Sequence, residues 1–351
     1  MTIINRHVVG FYVVLSLLAP RLIFAEDKRI ALIAFFGQEG LDTLPIRNAL
    51  PFHEGSIVSL EDNVSHAVDT ANRWKQDVKD TVKRLIGREP TDVARVCCTK
   101  SGDLVVYIGL PGRSFRPIRY NEAPKGTARL PEILLSLDEQ IDNLLFKAVL
   151  EGKAGEDDSE GYALAKDDPE LRKKQLEFRD YARLNEGVIF RVVESSSDAK
   201  QRAIAATALG YLRQSDRQIA ALVKASFDLD EEVRNNAVRA LGVLASAKPG
   251  VARRMPAKRF ISLLSSGIWS DRNKGLMLVF RLTQGRDPKL LRDLRSEALM
   301  PLVEAAQWET GHALGARVIL GRIAVIDEAK LWGLAQEEPP DTILRAIGVK
   351  R

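Results

Sequence analysis

The sequence has few of the residues on which several protein classes depend. It holds only 2 cysteines and 4 histidines among 351 residues. Two cysteines exclude a disulfide scaffold, and no Cys/His spacing matches a structural zinc site. Aromatic residues make up 6% of the chain, so its apolar share rests mainly on Ala, Leu and Val. That composition favours helices stacked side by side over a β-sandwich.

The chain also lacks a strong excess of one charge. Lys and Arg total 52 against 47 Asp and Glu, a net charge of +5. Residues 1–25 hold two of the arginines and no acid, which leaves +3 for the remainder. So small an excess does not match the dense basic patches of nucleic-acid-binding proteins. With 45% hydrophobic and 28% charged residues, the chain has the composition of a folded protein.

No apolar run in the sequence has the length of a transmembrane helix, and the N-terminal run predicts export instead. A basic pair precedes an apolar stretch over residues 8–19, shorter than the roughly 20 residues that span a bilayer. Ala25 supplies the small side chain that signal peptidase needs before its cleavage point. We therefore expect residues 1–25 to be a signal peptide, with the mature chain beginning near Glu26 in the periplasm or outside the cell. An uncleaved membrane anchor and a buried N-terminal element are the alternatives.

Residues 26–120 have the pattern of a small α+β domain. Apolar runs and turn residues predict these elements in chain order: a strand over 28–36, a short helix over 42–50, a long helix over 61–86, a hairpin of strands over 93–98 and 104–110, and a further strand over 114–120. The hairpin connection ends in Gly102-Asp103, a sequence that favours a tight turn.

This order of elements resembles the POTRA-type module of outer-membrane assembly and secretion proteins. The resemblance rests on Phe36-Gly37, Ile46–Leu50, Glu54-Gly55 and the hairpin glycine Gly102. It covers residues 28–110. Another small α+β fold is the alternative, because the helix from Glu61 is longer than the usual second helix of that family.

The second half of the chain repeats itself. Residues 198–210 recur 32 positions later as residues 230–242, with Asp, Arg, Ala, Ala, Leu and Gly at matching places. Both leading aspartates are candidate helix N-caps, and each is followed four residues later by an arginine with which it can pair. Between the copies, Ser215 to Gln218 forms a capping box that opens another helix. Each repeat unit is therefore predicted to be two antiparallel helices, with Leu209 and Leu241 facing the core.

Fainter copies follow, beginning at Arg272 and Ala313. The first two copies resemble the HEAT-repeat family in their Asp…Val-Arg…Ala…Ala-Leu-Gly helix. The resemblance covers residues 184–325 and implies that residues 184–351 form HEAT-like repeats with a C-terminal cap. Residues 121–183 are then a linker with flanking helices. The predicted fold class is a small α+β domain followed by an all-α right-handed helical-hairpin solenoid, and a globular helical bundle is the alternative.

Catalytic and cofactor-binding motifs are not evident in the sequence. His53, His66 and His312 lie far apart and in no metal-ligand motif, and there is no nucleophile elbow, phosphate-binding glycine loop or zinc-protease helix. Cys97 and Cys98 are adjacent in a predicted strand, so their side chains should point to opposite faces. A vicinal disulfide or redox site is the alternative for that pair. We expect no enzyme activity, no metal and no cofactor.

Two further motifs have simpler interpretations. Residues 156–167 have the acidic spacing of a Ca²⁺ loop, but Glu stands first and fifth and Asp stands last, unlike the Asp-first, Glu-last pattern of that loop. A solvated acidic linker is favoured over a Ca²⁺ site. Asn63 begins a glycosylation sequon, although it falls in a predicted helix.

These patterns favour an exported, non-enzymatic scaffold or adaptor that binds protein partners through a helical-repeat surface. Aligning the repeats gives two neighbouring columns off the apolar stripe. One column holds Tyr211, Arg281 and Arg322, and the other holds Arg239. We expect both columns to be exposed and these four residues to contact an acidic or extended protein partner, since Arg and Tyr are common in interface hot spots. The alternative is that these arginines are solvated or paired with neighbouring acids.

The same patterns limit the other partners and functions. No nucleic acid is expected, and membrane contact is expected only through an uncleaved signal or an envelope partner. The alternative function is a modifying enzyme whose repeats present substrate to a site between the two domains. Polar groups that converge between the domains would favour that alternative.

Overall fold

A computed structural model describes residues 27–59, 64–96, 99, 101–308, 311–337 and 339–349. A small N-terminal unit with a β-sheet is followed by a long series of helices, as the composition predicts. Across the described residues, no helix is both long and apolar enough to cross a membrane. The predicted signal peptide, the two cysteines and Asn63 lie outside the described residues.

The N-terminal unit is a four-stranded sheet with two helices. Its elements are β1 (Asp27–Phe36), α1 (Leu44–Ala49), β2 (Ile57–Ser59), α2 (Val64–Ile86), β3 (Asp92–Val96) and β4 (Leu104–Gly109). The strand order is β2-β1-β4-β3. β4 lies parallel to β1 and antiparallel to β3, and β2 pairs antiparallel with β1. Three-residue β2 was not predicted, because it is too short to show a strand's alternating pattern.

The sheet is covered on both faces, and so β4 is buried along its whole length. Ile33 and Phe35 of β1 pack on the face that carries Val78 and Val82 of α2. The alternate residue Phe36 points to the other face, where it joins the core of the helical unit. There the ring of Trp269 lies beside Phe36, with the ring centroids 6.1 Å apart. The two units therefore share one apolar core.

Helices make up nearly all the regular structure after residue 130. They are α3 (Glu132–Leu150), α4 (Pro169–Leu184), α5 (Glu186–Ser195), α6 (Ala199–Gly210), α7 (Asp216–Ala225), α8 (Glu231–Ala247), α9 (Pro249–Ala252), α10 (Ala257–Ile261), α11 (Trp269–Leu282), α12 (Pro288–Glu297), α13 (Leu299–Ala306), α14 (Ala313–Ile323), α15 (Glu328–Ala335) and α16 (Asp341–Ala346). A two-stranded hairpin, β5 (Glu156–Asp157) with β6 (Leu164–Ala165), lies between α3 and α4.

The helices of the repeat copies pack in chain order, α6 on α8, α8 on α11 and α11 on α14. Leu209 and Leu241 are fully buried at equivalent positions, as predicted. The N-caps are also confirmed: Asp198 accepts a hydrogen bond from the Gln201 amide, and Asp230 accepts one from the Val233 amide. Each cap satisfies a backbone donor that has no partner within its own helix.

The predicted capping box between the first two copies is only half formed. Ser215 accepts the amide of Gln218 at 3.1 Å. The Gln218 side chain does not return to Ser215, and instead donates to the carbonyl of Leu209 at 2.5 Å. It thereby ties the start of α7 to the end of α6.

The predicted pairing of aspartate and arginine within one helix is wrong. Arg202 pairs with Asp228 at 2.8 Å, and Arg234 pairs with Asp271 at 2.7 Å. The reason is that each capping aspartate accepts an amide in the first turn of its own helix. Each arginine therefore reaches a carboxylate that follows it in the chain. A third pair, Arg272 with Glu304 at 3.2 Å, continues the series. We call these three buried pairs the arginine ladder.

The segment between the two units, residues 111–130, is an extended connector, and the strand predicted over 114–120 is not present. The connector instead bonds to the loops that precede successive helices. Its amides donate to the carbonyls of Ser265, Phe227 and Ser195 in that order, at 2.8, 2.7 and 2.7 Å. The connector therefore passes the repeat copies in the direction opposite to the chain.

The connector also contacts the arginine ladder. The hydroxyl of Tyr120 donates to Asp271 at 2.7 Å, and the guanidinium of Arg234 lies 4.0 Å from the centre of the Tyr120 ring. The hydroxyl of Ser114 donates to Glu304. Glu304 also accepts the amide of Gly37, at the end of β1, at 2.9 Å. The sheet unit is thus joined to the helices through buried polar contacts as well as apolar ones.

Candidate functional site

Two of the four residues predicted to bind a partner are buried. Tyr211 is 6% exposed and Arg322 is 2% exposed. The Tyr211 hydroxyl donates to the carbonyl of Ala163 in the β5–β6 hairpin at 2.9 Å. Arg322 pairs with Glu328 at 2.7 Å. The expected exposure is wrong for both residues, because segments outside the aligned copies lie over them.

The other two predicted residues are half-buried. Arg239 forms an ion pair with Glu156, the first residue of β5, and this carboxylate raises the pKa of the Arg239 guanidinium above its ordinary value. Burial lowers the pKa of Arg281, against the opposing influence of Asp158 in the same hairpin. Tyr211 and Arg239 therefore contact the chain's own hairpin rather than standing free.

The hairpin uses its acidic residues for internal contacts. Asp157 accepts hydrogen bonds from Ser159 at 2.6 Å and pairs with Arg172 of α4 at 3.3 Å. These contacts hold the pKa of Asp157 below its usual range. Among the described residues, no three potential metal ligands come together. The spacing that resembles a Ca²⁺ loop thus belongs to a hairpin whose carboxylates Glu156 and Asp157 each have a basic partner.

A cavity of about 520 Å³ opens beside the tip of this hairpin. It lies between the hairpin tip, the end of α4, the α6–α7 loop and the end of α8. Its lining residues are Glu160, Gly161, Tyr162, Arg183, Leu212, Arg213, Gln214, Leu244 and Lys248. We call it the cation cavity, since three of its side chains are cationic and one is acidic.

Three cations of the cavity have no hydrogen-bonding or ion-pair partner among the described side chains. Within the described part of the chain, Arg183, Arg213 and Lys248 form no hydrogen bond or ion pair through their side chains. The Nε–H of Arg183 is enclosed and has no acceptor, a situation that costs about 1–3 kcal/mol. The acid in the wall, Glu160, accepts a hydrogen bond from Tyr162. An anionic ligand would supply the missing acceptors.

An aromatic residue holds part of this site in place. The ring of Tyr162 has the guanidinium carbons of Arg179 and Arg183 at 5.5 and 5.6 Å from its centre, within the range of cation–π attraction. The ring also stacks with Tyr211 at 5.9 Å. Tyr211, predicted to touch a partner directly, therefore packs against a residue of the cavity wall.

Sequence reasoning missed the three cavity cations because they do not share a repeat position. Each stands at or just beyond the C-terminal end of a helix: Arg183 ends α4, Arg213 follows α6 and Lys248 follows α8. Basic residues are common there because they interact favourably with the helix dipole. That ordinary explanation gives no signal that the three residues meet.

A second polar group lies deeper among the helices. Lys274 of α11 is 4% exposed and makes no hydrogen bond or ion pair with any described residue. Burial, then the charge of Arg239, lowers the pKa of Lys274 to about 8. Burial and Lys274 lower the pKa of His312 to about 4. At neutral pH this His312 ring is uncharged, and it packs edge-on against Trp269 at 5.5 Å.

The polar groups that meet between the two units are bonded to one another. Glu304 accepts hydrogen bonds from Ser114, from the amides of Gly37 and Glu39, and from Arg272. All four of its acceptor positions are used, three of them by donors from the N-terminal unit and the connector. Glu304 therefore has the geometry of a structural joint.

Comparisons with protein-family models, curated proteins and solved structures find no match for this chain. Its resemblance to HEAT repeats and to the POTRA module rests on the residues quoted above. The function has to be inferred from the side chains that the fold brings together.

Proposed function

We propose that the protein is an exported, non-enzymatic scaffold that binds an acidic segment of a protein partner in the cation cavity. The observation that carries this proposal is the set of three cations, Arg183, Arg213 and Lys248, that line one cavity without acceptors. Elsewhere the fold neutralises buried arginines with carboxylates, as in the arginine ladder. Here three cations converge on one cavity, and carboxylates are their natural ligands.

The cavity suits a short segment better than a broad surface. Its volume of about 520 Å³ falls within the range of pockets that enclose small ligands or a few side chains. Leu212 and Leu244 line it from buried positions, whereas the side chains of Arg213 and Lys248 are exposed. An extended acidic segment could place carboxylates on the cations and its backbone over the leucines.

The helices that present this cavity are proposed to stack as a HEAT-like, right-handed solenoid. The equivalent burial of Leu209 and Leu241 and the ordered packing of α6, α8, α11 and α14 support that arrangement. The arginine ladder adds a repeated polar contact along the stack. Such a stack provides a stiff platform for a binding site, since each unit is held by its neighbours.

The binding proposal is tested with a fluorescein-labelled peptide of six consecutive glutamates. Fluorescence anisotropy should show saturable binding that weakens with added NaCl, because exposed charge pairs are screened by salt. The double variant Arg213→Glu, Lys248→Glu should lose at least tenfold in affinity, since two attractive contacts become repulsive.

A matched control separates the cavity from general charge effects. Arg84 and Arg88 are exposed and lie at the far end of α2 or just beyond it, so Arg84→Glu, Arg88→Glu makes the same change in net charge. This control should bind the peptide as the wild type does. Equal losses in both double variants, or no binding by the wild type, would contradict the proposal.

Export rests on the sequence of residues 1–25. Expression of the full chain in a bacterial host, followed by fractionation and N-terminal sequencing, should give a mature protein that begins near Glu26 outside the cytoplasm. An intact N-terminus in a soluble cytoplasmic pool would show that these residues are not a cleaved signal.

A further inference from the structure

We infer that Arg239 is a positioning residue for the cation cavity: through Glu156 it fixes the β5–β6 hairpin, whose tip forms one wall of the cavity. This inference rests on the proposed function and assigns a role to a residue that does not itself line the cavity. The ion pair between Arg239 and Glu156 is the contact that carries it.

The hairpin needs anchors because its own ladder is short. Each strand has two residues, with Glu156 opposite Ala165 and Asp157 opposite Leu164. So small a hairpin has little stability by itself in water. Its tip nevertheless supplies three lining residues, namely Glu160, Gly161 and Tyr162. The position of this wall is therefore set by contacts to the surrounding helices.

One group of anchors ties the hairpin to α4. Asp157 pairs with Arg172 at 3.3 Å, and the amide of Ala165 donates to the side chain of Gln175 at 2.6 Å. Both partners lie on α4, whose last turn carries the cavity residue Arg183. These contacts fix the hairpin relative to one side of the cavity.

The Arg239–Glu156 pair ties the hairpin to the other side. Arg239 lies on α8, the helix that also carries Leu244 and is followed directly by Lys248. The approach is close, since a β-carbon added at Gly161 would lie 3.8 Å from Leu244 and 3.9 Å from Ala247. The pair thus holds the hairpin tip against the wall formed by α8, and so sets the width of the cavity.

Loss of the arginine would release this tie. The two side chains are about a quarter exposed, 23% for Arg239 and 24% for Glu156, so an unpaired Glu156 would be drawn toward water or toward Lys274. The electrostatics link these groups already, because Arg239 lowers the pKa of Lys274 and Glu156 raises it.

The test compares Arg239→Met with a second variant, which breaks an ion pair of similar exposure far from the cavity. Arg286→Met is the control, since Arg286 and Glu328 form an ion pair with 28% and 41% exposure at the other end of the helices. In the glutamate-peptide assay, Arg239→Met should weaken binding about tenfold, whereas Arg286→Met should leave it unchanged. Arg239→Lys, which keeps the charge, should recover part of the affinity.

Two further measurements test the tie itself. Glu156→Gln cuts it from the hairpin side, and it should lower affinity by a similar factor, with no further loss in the double variant. Hydrogen exchange over residues 156–165 should quicken in Arg239→Met, because the hairpin loses its tie to α8, and should stay unchanged in Arg286→Met.

The outcomes distinguish the inference from the proposed function. If the wild type binds the peptide and Arg239→Met and Glu156→Gln bind equally well, the positioning role is wrong while the proposed function stands. The melting temperatures of Arg239→Met and Arg286→Met are measured as well. If the two variants lose peptide affinity in the same proportion to their loss of melting temperature, Arg239 has only a structural role and the inference is overturned. If the wild type does not bind, the proposed function itself is wrong.

Discussion

At the scale of single residues, the fold places several ionisable groups where their proton affinity changes. Asp92 of β3 accepts the amide of Trp269 at 2.9 Å, at the start of α11. Burial raises the pKa of this carboxyl to about 6, an effect that nearby Glu231 reinforces and Lys75 opposes. The folded protein therefore binds a proton at Asp92 more readily than the unfolded chain does, in a window from about pH 4 to pH 6.

This shift predicts a measurable pH dependence of stability. Because the folded state takes up the proton first, the contribution of Asp92 to the free energy of unfolding rises as the pH falls through 6. Asp92→Asn removes that titration and keeps an acceptor for Trp269. We expect the stability of the wild type relative to Asp92→Asn to improve by about 1–2 kcal/mol between pH 7 and pH 4.5, allowing for partial exposure.

Urea unfolding at several pH values measures this difference. Comparison with the variant is needed because the pKa of His312 is lowered to about 4. The contribution of His312 to the free energy of unfolding therefore falls as the pH decreases through much of the same window. Asp142, whose pKa burial raises to about 6, acts in the same direction as Asp92. A difference between the two proteins that does not change with pH would show that Asp92 titrates normally.

At the scale of elements, the sequence predicted the helix caps, core faces and turns that are decided by residues close together in the chain. The helix N-caps at Asp198, Ser215 and Asp230 are as expected, since a cap is decided within three or four residues. Leu209 and Leu241 are buried because the apolar period of a helix marks its core face. The hairpin of β3 and β4 also forms, with Gly102 at φ +83° in its turn.

Contacts between distant elements were not predictable in the same way. The partners of Arg202 and Arg234 lie 26 and 37 residues further along the chain, and they depend on how the repeat copies stack. The exposure expected for Tyr211 and Arg239 was misjudged because the β5–β6 hairpin, which has no helical signature, lies against them. The cation cavity arises from the same insertion and so could not be foreseen.

At the scale of the whole molecule, the sheet unit and the helices are joined around one carboxylate. Glu304 of α13 is 6% exposed and accepts the amides of Gly37 and Glu39, the hydroxyl of Ser114 and the guanidinium of Arg272. Its donors come from the end of β1, from the connector and from α11. Removal of one carboxylate would leave a buried arginine and three other donors without their acceptor.

Glu304→Ala should therefore lower the free energy of unfolding by about 3–5 kcal/mol, the usual cost of breaking a buried ion pair from one side. It should also loosen the sheet unit first, since two of the lost contacts hold the end of β1. Hydrogen exchange should quicken over β1 and β4 while α6 and α8 stay protected.

Glu297→Ala is the matched control. Glu297 pairs with Lys258 at 3.2 Å, and the two side chains are 44% and 66% exposed. The loss of this exposed pair should cost less than about 1 kcal/mol. Equal destabilisation by the two variants, or uniform exchange along the chain in Glu304→Ala, would mean that the two units are held together by their apolar core alone.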